Sequence, residues 1–167
     1  MNLNTLLSNH KSGYREKLVK LLAVKNSLTT AEVESGFKDF IEQHLAEKYT
    51  PASLFIEKIN SIQTPVLLNI RRGREEGEEF CKICHANQPN VDKVAMKYGD
   101  RIEVVEASID KPDGGALYHI IYYEEAENKM VPLTAVINKG EVLKFWTGVE
   151  VKPDEYGEYF DKLVGQV

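Results

Sequence analysis

Glu79-Phe80-Cys81-Lys82-Ile83-Cys84-His85, EFCKICH, holds both cysteines of a 167-residue chain. Two cysteines separated by two residues admit three chemistries: a redox dithiol, half of a metal site or, with His85 beside the second cysteine, covalent haem attachment. The surroundings of the motif bear on the choice. Upstream, Val66 to Ile70 is an apolar run of buried-strand length; downstream, Cys84 to Tyr98 has helical composition, with Pro89 placed to kink it. The pair therefore stands where a loop from a strand enters a helix. There, unpaired backbone amides and the positive end of the helix dipole favour an anionic sulfur at Cys81, while Cys84 lies within the first turn and is less accessible. That inequality suits the first sulfur to attack a disulfide and the second to resolve the mixed disulfide.

Working outward from the motif, Ile102 to Ile109 (IEVVEASI) is a second strand candidate rich in β-branched residues, and Lys111-Pro112-Asp113-Gly114-Gly115 is a turn. Ala116 to Glu127 reads as helix. Leu133 to Ile137 and Val142 to Trp146 flank Asn138-Lys139-Gly140-Glu141, whose asparagine and glycine favour a tight hairpin. Pro153 to Val164 closes the pattern as an amphipathic helix with Tyr156, Phe160 and Leu163 on one side. This order, strand, helix, strand, helix, two strands, helix, predicts an α/β fold in which a mixed central sheet carries helices on both faces.

Residues 1–62 read differently, as helices separated by turn signals. Ser12 is a candidate N-cap for a first helix carrying Tyr14, Leu18, Leu21 and Leu22. Thr29 with Glu32 forms a capping box ahead of Val33, Phe37, Ile41 and Leu45, and Thr50-Pro51 marks a third start before Phe55, Ile59 and Ile62. These apolar faces must be buried on each other or on the next domain. The expected organisation is a helical N-terminal extension, residues 1–62, before a domain spanning residues 63–167.

Composition narrows the function classes. Apolar residues at 43% and charged residues at 28% describe an ordinary folded protein. The net charge is -5; residues 1–62 carry 8 basic and 7 acidic side chains against 13 and 19 in the remainder. The basic cluster Arg71, Arg72 and Arg74 is followed at once by Glu75, Glu76, Glu78 and Glu79, so nucleic acid is not an expected partner. The start of the chain has no basic region leading into an apolar run, and the longest apolar runs fall far short of a membrane span; a cytoplasmic location and no membrane partner are the expectation. In a reducing compartment two close cysteines call for a chemical explanation rather than a structural one.

Over about residues 64–167 the sequence resembles the thioredoxin family. Cys81 to Cys84 takes the place of its active-site motif, and Pro89, eight residues after the first cysteine, that of the proline bending its active-site helix. Val131-Pro132 resembles its cis-proline, and LTAVINKGEVLKFWTG its terminal hairpin. The resemblance implies a thioredoxin-like fold and a thiol-disulfide oxidoreductase serving electron transport and cell redox homeostasis. Cys81 would be the nucleophile and Cys84 the resolving thiol. Pro132 would shape the dithiol site, the backbone of Val131 would pair with an incoming peptide, and Phe80, Lys82 and Ile83 would complete the substrate-binding surface. The implied partners are disulfide-containing protein clients and a reductase that regenerates the dithiol, with no cofactor and no metal.

The departures are specific. Phe80 replaces the family's tryptophan, Lys82-Ile83 its Gly-Pro, and Asn69, which cannot act as a base, its buried aspartate. The loop RRGREEGEE is several residues longer than usual; its glutamates Glu75, Glu76, Glu78 and Glu79 read first as solvated side chains, with replacement of the missing acid by one of them as the lesser alternative. Competing readings weigh less. A structural zinc site needs four ligands, and His10, His44, His85 and His119 are scattered; a four-cysteine iron-sulfur cluster fails on the cysteine count. Haem attachment conflicts with the strand-to-helix setting and the lack of an export signal. The long helical region before Val131 looks less like glutaredoxin than thioredoxin. The functional rival is a thioredoxin-like peptide-binding or chaperone module with little turnover.

Overall fold

The computed structural model describes residues 1–73, 76–122 and 130–165. Four strands form one sheet in the order β2-β1-β3-β4: β1 (Val66–Arg71), β2 (Glu103–Ser108), β3 (Leu133–Asn138) and β4 (Glu141–Thr147). β1 runs parallel to β2 and antiparallel to β3, and β3 and β4 form the expected hairpin. At its turn Lys139 and Gly140 both adopt positive φ, 50° and 79°, the geometry that matches a two-residue connection to strand twist.

Alternate residues of β1 enter two different cores, as the period of a strand requires. Val66, Leu68 and Ile70 pack with α5 (Pro112–Ile121) and with Leu3 of α1 (Leu3–Asn26) and Phe55, Ile56 and Ile59 of α3 (Lys38–Ser61). Leu67 faces the opposite layer, α4 (Lys82–Tyr98) and α6 (Pro153–Val164), where Val91, Val94, Tyr156 and Phe160 are buried. A third cluster joins Val19, Ala23, Val33, Ile41, Leu45 and Tyr49 from α1, α2 (Thr30–Gly36) and α3. The helices of the first 62 residues are thus buried on each other and on the sheet. Together these layers make the mixed, thioredoxin-like α/β arrangement with helices preceding it. No helix among the described residues is long and apolar enough to cross a membrane.

Several boundaries differ from expectation. α1 starts before Ser12, because Asn2 caps it by accepting from the Asn4 and Thr5 N–H groups. The capping box of Thr29 and Glu32 is present, but α2 ends at Gly36 and the stripe from Val33 to Leu45 continues into α3. Thr50-Pro51 starts no helix: α3 runs through Pro51, and burial of Tyr49, Ala52, Phe55 and Ile56 on either side outweighs the missing N–H. Pro89 likewise lies inside α4. The turn expected at Lys111 to Gly115 is instead the first turn of α5, with Pro112 at its start. Of the expected helix from Ala116 to Glu127, residues 123–127 lie outside the described residues, as do Arg74 and Glu75.

Residues 1–3 join a part of the chain distant in sequence, the β3–β4 turn. The Leu3 N–H donates to the Gly140 carbonyl at 2.8 Å, and the Val142 N–H donates to the Met1 carbonyl at 2.7 Å. The first residues of α1 thereby sit against the β3–β4 turn.

This packing has two measurable consequences. A Cβ on Gly114 would lie 2.1 Å from the Ser108 carbonyl oxygen, so Gly114→Ala should destabilise by on the order of 2 kcal/mol in denaturant unfolding. His10 lies 2.7 Å from the Tyr49 hydroxyl; burial first, and then the charges of His119, Lys48 and Lys17, hold its pKa below the ordinary 6.5. The unfolded chain therefore binds a proton that the folded chain resists, and stability falls as pH drops below 6.5 toward the lowered folded value. In calorimetric scans across that range, His10→Gln should show a shallower acid decline than the wild type.

Candidate dithiol site

The elements just described bring the C-terminal end of β1, the N-terminus of α4 and the start of β3 together. Cys81 is the N-cap of α4, with extended φ and ψ of -115° and 106°, and its Sγ accepts from the Cys84 N–H at 3.2 Å. Cys84, one turn in, is 1% exposed, whereas Cys81 is half-buried. The two are joined as a disulfide with a Cα separation of 5.3 Å. A sulfur at a helix N-cap meets backbone donors and the positive end of the dipole, which stabilise a thiolate.

The Val131-Pro132 peptide is cis, and the Val131 carbonyl oxygen lies 3.9 Å from Cys81 Sγ. Its neighbours hold this segment in place. The Tyr118 hydroxyl of α5 donates to the Met130 carbonyl at 3.2 Å and accepts from the Met130 N–H at 2.9 Å, while the Gly148 N–H donates to the Pro132 carbonyl at 3.0 Å. Around the sulfurs the surface is apolar: Phe80 is 73% exposed with its ring centroid 5.7 Å from that of His85, and Ile83 and Met130 are 39% and 46% exposed. Lys82 is exposed in the first turn of α4. Met130 carries no sequence signal of its own for this role; its position before Val131 is the available clue.

Under the site, the α4 face of the sheet is polar. Arg71 Nη1 donates to Gln88 Oε1 at 2.6 Å, and Gln88 Nε2 donates to Glu106 Oε1 at 2.8 Å. Asn69 Nδ2 donates to the same two oxygens at 3.3 and 3.4 Å. Asn69 is buried as expected, and the carboxylate it meets comes from β2, whose parallel register sets Glu106 opposite it. The carboxylate beside Asn69 is thus supplied by a strand. In the long loop Glu78 is engaged elsewhere, accepting from the Gly73 N–H at 2.9 Å and from the Ser108 hydroxyl. Glu79 is 87% exposed and lies 3.6 Å from Arg72. Arg72 also makes a two-pronged contact with Asp110, both distances 2.8 Å, which raises the arginine pKa further above its ordinary value. Arg72 and Glu78 thus tie the described parts of the loop to the β2–α5 junction. Glu75 lies outside the described residues.

A second polar chain lies on the α6 side. The Val151 N–H donates to Asn87 Oδ1 at 2.8 Å, Asn87 Nδ2 donates to the Tyr156 hydroxyl at 3.2 Å, and that hydroxyl donates to Thr134 Oγ1 at 3.1 Å. Burial raises the Tyr156 pKa, so its hydroxyl keeps its proton.

A cysteine pair at a helix start, beside a cis-proline that leads into a mixed four-stranded sheet, defines the class as a thioredoxin-like fold with a closely spaced cysteine pair. No family model and no curated protein matches the chain. Among solved structures it is similar to one described as a malarial protein, with 16% identity and a TM-score of 0.46 over 60% of this chain and 97% of that one. It is also similar to thioredoxin-2, described as a component of the malaria parasite protein secretion machinery, with 17% identity and a TM-score of 0.47 over 59% and 82%. Both likenesses are distant.

The disulfide closes a ring of four residues, 81–84, so it restrains the unfolded chain little. Reduction by dithiothreitol should leave the far-ultraviolet circular dichroism unchanged and lower stability by no more than about 2 kcal/mol.

Proposed function

We propose that this chain is a thiol-disulfide oxidoreductase acting on protein disulfides. The observation that carries the reading is the inequality of the two sulfurs: Cys81 half-buried at a helix N-cap, Cys84 buried one turn deeper. In the reduced protein, the Cys81 thiolate attacks one sulfur of a client disulfide. A Cys81–client bond forms as the client S–S bond breaks, and the second client sulfur leaves as a thiolate. Cys84, as its thiolate, then attacks Cys81 Sγ, forming the intramolecular disulfide and releasing the first client sulfur. Two electrons have passed from the dithiol to the client, and the two client thiolates take up protons.

Substrate binding falls to the rim. The backbone of Val131, held between the anchored Met130 and Pro132, pairs with an extended client segment, while Phe80, Ile83 and Met130 offer apolar contact and Lys82 charge. A reductase restores the dithiol, and the working location is a reducing compartment such as the cytoplasm. The exposed apolar rim also fits a peptide-binding module with little turnover, and the two readings part in one experiment.

Cys84→Ser should accumulate mixed disulfides with client proteins, detected as thiol-sensitive adducts in non-reducing gels, and Cys81→Ser should not. Equal trapping by both variants would overturn the assignment of roles. Client binding by wild type with no disulfide turnover would favour the module.

A further inference from the structure

We infer that Asn87, Tyr156 and Thr134 form a positioning brace that sets the distance between the attacking sulfur and the peptide-pairing strand, and so selects peptide disulfides over small ones. The inference rests on the thiol-disulfide reading above. Asn87 follows Cys84 by three residues and shares its buried helix face; Thr134 of β3 follows Pro132 by two and falls on the same side of the extended segment. The Asn87–Tyr156–Thr134 chain therefore lies one layer beneath the gap between the cysteines and the cis-proline.

All three side chains are buried, and their hydrogen bonds run through one hydroxyl, that of Tyr156. Its ring is held separately, edge-on to Trp146 with centroids 5.2 Å apart. Asn87 also accepts from the Val151 N–H, three residues after Gly148, whose own N–H holds the Pro132 carbonyl. The helix bearing both sulfurs is thus tied to the cis-proline strand along two routes, directly through Tyr156 and through residues 148–151. Apolar packing alone resists separation of these layers but sets their register loosely. Directional bonds that would be left unsatisfied by a shift hold it.

A client peptide must meet Cys81 and the Val131 backbone together, whereas a small disulfide needs the sulfur alone. Loss of register therefore slows the first reaction and spares the second. The test is single-turnover reduction by the pre-reduced full chain, using insulin disulfides and hydroxyethyl disulfide as probes. Tyr156→Phe, which keeps the ring, and Thr134→Val, which removes the acceptor from the other side, should each slow insulin reduction roughly 10- to 100-fold. Their rates with hydroxyethyl disulfide should stay within about twofold of wild type, as expected where the sulfur itself is undisturbed. Parallel loss on both probes, or no loss on insulin, overturns the brace; the two variants report independently should one fold poorly. A wild type that reduces neither probe overturns the functional reading itself.

Discussion

Strand β1 is hydrogen-bonded along both edges and buried at all six residues, so it constrains both helical layers of the fold. Such a strand must be apolar toward one helical layer, and here Val66, Leu68 and Ile70 are. Toward the other layer it carries Leu67, Asn69 and Arg71, so apolar character gives way to polar along a single face. That change falls at the end where β1 leads toward the cysteines. Buried polar groups require partners, and Gln88 and Glu106 answer Asn69 and Arg71 across the layer. The position of α4 above the sheet, and with it that of Cys81, is thereby held by directional contacts as well as packing.

How much of this was legible in the sequence depended on the range of each signal. The β3–β4 turn was legible because Lys139-Gly140 solves a local backbone problem, and α6 because its apolar side repeats within one element. The setting of Cys81 and Cys84 could be read for the same reason, strand before and helix after. Pro51 misled because its local preference was overridden by burial on both sides, and Gly114 because it serves close approach to Ser108 rather than a turn. Glu106 was out of reach of local reasoning altogether. Nothing in EVVEAS says that its acid lies opposite Asn69 until the parallel register is known. Tyr118 and Tyr156 are similar cases: each looks like a core aromatic, and only the tertiary structure shows where its hydroxyl goes.

The helices ahead of β1 are part of the same object as the sheet. α3 supplies Phe55, Ile56 and Ile59 to the core beneath β1, while its other half builds a separate cluster with α1 and α2. α5 lies among these helices, and its Tyr118 hydroxyl holds both backbone groups of Met130. The backbone beside Cys81 is therefore supported from the helical layer, through one side chain.

The stitching of residues 1–3 to the β3–β4 turn also bears on the birth of the chain. Met1 and Val142, which share backbone contacts, are separated by 141 positions. At ribosomal speeds of roughly 5–20 residues per second, the earlier partner waits on the order of ten seconds for the later one to be made. Throughout that interval the start of α1 lacks the turn that anchors it. The local cluster of α1, α2 and α3 can assemble meanwhile, and Phe55, Ile56 and Ile59 of α3 are there for Leu3 before the last strands are made. Assembly of the first three helices can thus precede the contacts that fix residues 1–3.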